Sequence, residues 1–586
     1  MKNPAKRTLS LLIFLLAFNR CLEALAEDVK APTQYTARKQ GALTFNKDVA
    51  PIVFQHCASC HRSGQSAPFN LLSYVEVKKR AKQVAEVVGK RYMPPWLPER
   101  GLAEFAHDRS LSADQIGVIQ QWVTEGGVEG VSKDLPALPK WIEGWQLGTP
   151  DLVVKLPQPY TLAAEGKDVY RNVVIPIPVS ERKYVKGVEF LPGNWKVVHH
   201  AFINVDSTPV SRRRAEKENP PGFDGMVLTD TARMPDGHFL GWQPGKVPQM
   251  APEGLAWTLE PNTDIVLQLH LHPSGKPEMV QPTIAFYFTP LPPTNAAFRI
   301  NLNALRIDIP AGAKNYEVED KYTLPIDVHL IGVLPHAHYL GKRLEGYALL
   351  PEGTRKDLIL IKDWDFNWQG DYRYAKPVFL PKGATLVMHW TYDNSAENER
   401  NPNQPPKRVK YGSQTADEMG ELWYQVLPCN ASERNFFEKD FYAHLARNSI
   451  DYNEFVLQEN PGDFEAHIKV GKARFYFGQV AEALNHFQAA AKANPGSDRA
   501  FYELGFIYLR QNRLTEAERA FENVIRLNPD DYEAQGSLGF ICLRTGDLDR
   551  AESHFKAALR INPNDKIAAK NLARVLQARS SLKKTN

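Results

Sequence analysis

The C-terminal end of the chain repeats itself every 34 residues, and no other feature constrains the fold as tightly. Asn-Pro recurs at Asn460, Asn494, Asn528 and Asn562. Within each period a small residue (Gly471, Gly505, Gly539) is followed by an alanine (Ala483, Ala517, Ala551) and then a phenylalanine (Phe487, Phe521, Phe555). A fixed period of this length is the signature of a repeat architecture in which each repeat is one supersecondary unit. Such a unit cannot bury its apolar face alone, so the units must stack, and stacking creates a concave surface.

This pattern resembles the tetratricopeptide repeat over three full units. The resemblance implies an α-helical solenoid over 450–580 and a protein partner docked on it. Upstream the texture changes twice. Residues 42–128 are helical in pattern, with Ile116, Ile119, Trp122 and Val123 on one predicted face. Residues 150–430 carry short β-branched and aromatic runs broken by Pro and Gly, such as Val173 to Ile177 and Ile265 to Leu269. Many short strands with frequent turn signals predict antiparallel sandwiches. The length predicts two in tandem, at 150–290 and 295–430, with a joint near Pro290–Asn295. The expected fold class is therefore multidomain: a small all-α domain, two tandem antiparallel β-sandwiches and a C-terminal α-helical repeat solenoid.

Lys2, Lys6 and Arg7 precede an apolar run from Leu9 to Phe18, and Ala24-Leu25-Ala26 offers a cleavage site. Residues 1–26 thus read as a signal peptide, and the mature chain as periplasmic or otherwise exported. No later stretch is apolar enough to span a membrane. Cys21 leaves with the leader, Cys57 and Cys60 are a close pair, and only Cys429 and Cys542 remain, so disulfides do not hold this chain together. Its 71 basic and 67 acidic residues leave a net charge of +4, which is no electrostatic footprint for nucleic acid.

Cys57-Ala58-Ser59-Cys60-His61 is a C-x-x-C-H motif. Two thiols at this spacing can add to the vinyl groups of one haem, and His61 then lies beneath the iron. A redox disulfide wants a βαβ context and a zinc site wants a second ligand pair, and neither is visible. Met93, in Tyr92-Met93-Pro94-Pro95-Trp96, is the candidate sixth ligand, with His56 and His107 as alternatives. The loop resembles the Met-Pro-Pro ligand loop of class I cytochromes c, which implies a cytochrome c-like domain at 42–128 with one covalent haem c used for electron transfer.

Four further clusters lie on the β texture: His199-His200, Leu267-Gln268-Leu269-His270-Leu271-His272, Pro335-His336-Ala337-His338-Tyr339-Leu340-Gly341-Lys342 and Asp417-Glu418-Met419. Residues i and i+2 of a strand share a face, so His336 and His338 point together. Imidazole with thioether suits copper. The clusters, in this order, resemble the copper type II ascorbate-dependent monooxygenases, the family of peptidylglycine alpha-hydroxylating and dopamine beta-monooxygenases. That resemblance implies two jelly-roll-like sandwiches holding two coppers per chain. His199, His200 and His270 are implied as the electron-relay site, with His272 the rival for its third position. His336, His338 and Met419 are implied as the catalytic site for dioxygen and a small organic substrate. Leu334, Glu421 and Trp423 replace the amidating branch's carboxylate-binding residues, which speaks against a peptide-carboxylate clamp.

The implied reaction is hydroxylation of a C–H bond by O₂, with electrons from ascorbate or from the fused haem. The alternative is a non-catalytic periplasmic copper and haem electron-transfer protein that docks a partner through its repeats.

Overall fold

The computed structural model describes residues 35–585, apart from 219–221, 227, 236–237, 413 and 415. The leader expected at 1–26 lies outside the described residues. The chain divides into two compact units.

The first unit comprises the chain up to Ser59 together with Asn70–Glu104 and Asp108–Pro139. Its helices are Ala50–His56, Tyr74–Lys79, Ala81–Gly89 and Ala113–Thr124, the first preceded by a π-helical turn at Phe45–Val49. Hydroxyl caps start several of them. Ser73 accepts from the Glu76 amide, and Ser112 forms a reciprocal capping box with Gln115, meeting amides that a helix start leaves unpaired. Phe45 and Trp122 meet in the core with ring centroids 6.0 Å apart, and the Trp122 indole donates to the Val128 carbonyl at 2.8 Å. The last helix buries Gly117, Val118, Ile119 and Trp122. Ile116 and Val123, expected on that face, are half-buried, because Gly117 turns inward against the Tyr35 ring.

In the second unit, residues 152–428 form antiparallel sheets. A four-stranded sheet orders Leu152–Lys155, Thr283–Thr289, Lys183–Leu191 and Trp257–Leu259; a five-stranded sheet orders Gly222–Asp224, Val169–Pro176, Asp264–Leu271, Val198–Asp206 and Gly241–Trp242. They enclose one core, with Phe190, Phe286 and Trp257 from one sheet against Leu267, Leu269 and Ile203 from the other. Among the described residues, the sheets formed from Phe298 onward draw their strands from this segment, with one isolated bridge from Tyr374 to Phe105. One sheet orders Phe298–Asn303, Gly420–Pro428, Val328–Ala337 and Tyr372–Leu380; another orders Tyr316–Thr323, Thr385–Tyr392, Gly341–Leu349 and Arg355–Ile361. The latter two sheets face each other closely: a Cβ on Gly346 would stand 2.6 Å from the Leu422 side chain. Leu255, Ala297 and Ile331 join the two β halves in a small shared cluster.

Among the described residues eight α-helices follow, from Arg434–Glu459 to Lys566–Thr585. The first begins ahead of the repeat pattern because its N-terminal half belongs to the β half it covers. Phe437 and Phe441 pack on Phe298 at 5.1 and 5.6 Å, and Asp440 accepts from the Tyr322 hydroxyl at 2.8 Å. No helix among the described residues is long and apolar enough to cross a membrane.

Candidate metal centre

Adjacent residues of a regular strand point to opposite faces, so His199 and His200 should part. A bulge prevents it. Val198 pairs with Leu271, the register shifts, and His200 pairs with His270, leaving His199 as the extra residue that the bulge re-aims. Leu267, Leu269 and Leu271 fill the sandwich core, which sends the alternating Gln268 and His270 to the other face of the five-stranded sheet.

Three imidazole nitrogens converge on that face. His199 Nδ1 lies 3.2 Å from His200 Nδ1 and 3.3 Å from His270 Nδ1, and the last two are 3.4 Å apart. A neutral imidazole nitrogen is either donor or acceptor. Among three mutually close atoms at least two share a role, so hydrogen bonding cannot satisfy every pair. A shared cation can. Nitrogens about 2.0 Å from one ion in tetrahedral arrangement stand about 3.3 Å apart, which is the spacing seen. Burial, and then the neighbouring imidazoles, lower the pKa of His199 to about 3. The same two causes lower His270 to about 4 and push His200 well below the ordinary histidine range. The three rings are thus neutral, with lone pairs of the kind a metal ion takes.

Asp168 supports the cluster from behind. Its carboxylate takes His270 Nε2 at 3.1 Å and His272 Nδ1 at 2.7 Å, while Tyr170 stacks on His270 at 4.3 Å. A carboxylate behind a ligating imidazole fixes its tautomer and raises its basicity. His272, the rival third ligand, turns its Nδ1 to Asp168, and Asp168, His270 and His272 form a second group of metal-ligating type beside the His199, His200 and His270 trio. Nothing local in the sequence marked Asp168.

The second cluster lies on the other β half. His336 and His338, at the end of the Val328–Ala337 strand, bring their rings 5.3 Å apart. His338 Nδ1 donates to the Asp417 carbonyl at 3.0 Å, and His336 Nδ1 to Gln369 Oε1 at 2.7 Å. Both carbonyl acceptors demand Nδ1–H, so Nε2 carries the lone pair on each ring. The His338 Nε2 is buried and has no hydrogen-bond partner among the described residues, a vacancy in the bonding that a metal ion would fill. Met419 sits one step beyond the Ala337–Gly420 register pair, across from His338. Between them the buried Glu418 carboxylate takes the amides of His338, Leu340 (2.9 Å) and Met419 (2.8 Å). Burial raises Glu418 to about 8 against those bonds. Glu421 is spent internally, on Asn303 Nδ2 at 3.0 Å and Trp423 Nε1 at 2.8 Å.

The candidate haem residues fall in both units: Cys57 and Met93 in the first, Cys60 and His61 in the second. Cys57 caps the Ala50–His56 helix, and Met93 is half-buried. His61 Nδ1 lies 3.1 Å from the Phe69 carbonyl, which again protonates Nδ1 and leaves the lone pair on Nε2. His56 is held by the Arg109 carbonyl and Gln115 at 3.3 and 3.2 Å. His107 stands in a left-handed backbone conformation, φ 57°.

No curated protein matches the chain. A tetratricopeptide-repeat family model matches residues 469–518 and 507–566. The C-terminal segment is a tetratricopeptide-repeat array. Among solved structures, the first TPR of Spaghetti (RPAP3) bound to an HSP90 peptide is 20% identical and covers 20% of this chain and 93% of that one, with a TM-score of 0.20. MamA protein is 21% identical over 25% of this chain and 78% of that one, with a TM-score of 0.22. In the tetratricopeptide repeats of this chain the periodic glycines have a steric role. A Cβ on Gly471, Gly505 or Gly539 would meet the ring of Phe487, Phe521 or Phe555 at 2.6, 3.0 and 2.9 Å. The array is also tied back to the first β half, where Lys217 meets Asp530 at 2.9 Å and Arg213 donates to the Ile561 carbonyl at 2.9 Å.

Proposed function

We propose that the chain is an exported copper-dependent monooxygenase of the type II ascorbate-dependent kind, with a haem c attached upstream and tetratricopeptide repeats for a protein partner behind. The convergence of His199, His200 and His270 on one point is the observation that carries this reading. Three imidazoles alone suit several first-row metals; a thioether contributed by Met419, one step past the Ala337–Gly420 register pair, to His336 and His338 would favour copper. Both β halves then correspond to the jelly-roll-like sandwiches of that family.

Copper held in the two clusters supplies dioxygen activation and electron storage for C–H hydroxylation, one oxygen atom entering the product and the other leaving as water. The chain's own residues do the rest. His199, His200 and His270 stay neutral at any physiological pH and keep three lone pairs aimed together. Asp168 locks the His270 ring, and Gln369 and the Asp417 carbonyl lock His336 and His338 with Nε2 outward. Glu418 ties the His338 loop to Met419. Glu421 is bonded to Asn303 and Trp423, and Leu334 pairs in register with Trp423, so neither position supplies the amidating branch's carboxylate clamp, and the substrate of this reading is a small organic molecule. Cys57 and Cys60 would anchor haem, with His61 and Met93 as axial ligands, as an electron source beside or instead of ascorbate.

Aerobic incubation of the copper-loaded protein with a reductant and a panel of small organic substrates under ¹⁸O₂ tests the reading. One labelled oxygen should enter the product, and Met419→Ile should stop this while leaving copper on the His199 cluster. Metal retention without oxygen uptake for any substrate favours the electron-transfer alternative.

A further inference from the structure

One short segment touches both histidine clusters. It is the 3₁₀ turn Phe366–Trp368 with the following Gln369. Phe366 lies against His338 with ring centroids 5.8 Å apart, and Trp368 against His199 at 6.5 Å. His199 also bonds the Asn367 backbone, and Gln369 Oε1 holds His336 at 2.7 Å. Four consecutive residues thus contact three of the candidate ligands, from both β halves.

The turn is held firmly enough to transmit a change. Asp365 caps it, taking the Asn367 amide at 2.9 Å and its side-chain nitrogen at 3.1 Å. Behind it, the fully buried Trp364 donates to the His338 carbonyl at 3.1 Å, and Arg400 pairs with Asp363 at 2.6 Å. A metal ion in either cluster fixes its imidazoles, and each fixed imidazole orders a residue of this turn. The second cluster then needs less ordering to bind its own ion, which is positive coupling without a gross conformational change.

We propose that the Phe366–Gln369 segment couples the two clusters, so that an ion bound at His199, His200 and His270 strengthens binding at His336 and His338, and the reverse by the same factor. This rests on the copper reading above, and its test separates the two.

The test is an anaerobic Cu(I) titration of the full chain against a competing chromophoric chelator. The first ion should raise affinity for the second by at least about fivefold, the lower end of typical coupling. Trp368→Ala, which removes no candidate ligand, should still take two ions but bring the factor close to one. In the wild-type chain, amide hydrogen exchange over 366–369 should slow on binding the first ion alone. Two ions bound with independent affinities, or exchange that ignores the first ion, overturn the coupling while the copper reading stands. If no Cu(I) binds in competition, or if His270→Ala binds as the wild type does, both fall.

Discussion

His200 and His270 stand directly opposite one another on neighbouring antiparallel strands, with their Nδ1 atoms 3.4 Å apart. Two neutral imidazoles at that distance, with a third equally close, are the arrangement from which the metal assignment follows.

Removing one of the three should lower the metal content. His270→Ala is expected to reduce bound copper from two ions per chain to one. His272→Ala, whose ring turns to Asp168 instead, should keep both. Asp168→Asn should weaken binding at this cluster about 10–100-fold, the usual effect of losing the partner behind a ligating imidazole. Chelator competition measures all three, and equal losses in His270→Ala and His272→Ala would reassign the third ligand.

The repeat array offers a steric test. Gly471→Ala gains about 1 kcal/mol of helix propensity but drives a methyl to 2.6 Å from the Phe487 ring. Overpacking of that kind costs about 1–3 kcal/mol, so the net change should be destabilising. Gly536→Ala, in the Tyr532–Thr545 helix, meets only the Asp565 carboxylate at 3.9 Å and should stabilise by up to about 1 kcal/mol. Urea unfolding followed by far-UV circular dichroism reads both signs.

Asp531 gives the array a pH dependence. It caps the Tyr532–Thr545 helix through the Ala534 amide at 2.8 Å, and burial raises its pKa to about 6. A carboxyl whose folded pKa lies above its unfolded value binds more protons folded than unfolded. Its contribution to stability is therefore greatest at low pH and declines as pH rises through the window between the ordinary aspartate value and about 6. Asp531→Asn keeps a good cap and removes the titration. Wild type should lose stability relative to this variant from about pH 4 to 6 and run parallel above about 7. A constant difference across that range would contradict the assignment.

Much of this could be read before any coordinates. The resemblance of the 34-residue pattern to the tetratricopeptide repeat implied the helix pairs, and the glycine and phenylalanine positions turned out to be each other's packing partners. The two-residue spacing in His336-Ala337-His338 placed both rings on one side. Other features have no local signature. Strand alternation would have parted His199 from His200, and the bulge that unites them arises from pairing with a strand some 70 residues later. Asp168, Glu418 and the Phe366–Gln369 segment act through contacts across the sheets, where sequence spacing says nothing about distance. The helix expected near Trp122 is present, but its buried face is rotated because Gly117 admits the Tyr35 ring.

The fused haem motif makes a kinetic prediction. With the haem reduced anaerobically and then mixed with O₂ and substrate, stopped-flow absorbance should show haem oxidation tracking product formation. In His199→Ala that coupled phase should vanish. Haem that stays reduced while ascorbate alone drives turnover would remove it from the electron path.

Elemental analysis of the purified holo-protein, expressed from residue 1, is the most direct check on the metal assignment. Two coppers and one iron per chain are expected, with X-ray absorption of the copper showing imidazole nitrogen at both sites and a sulfur ligand at one. Zinc in both clusters, or copper in only one, would contradict the account.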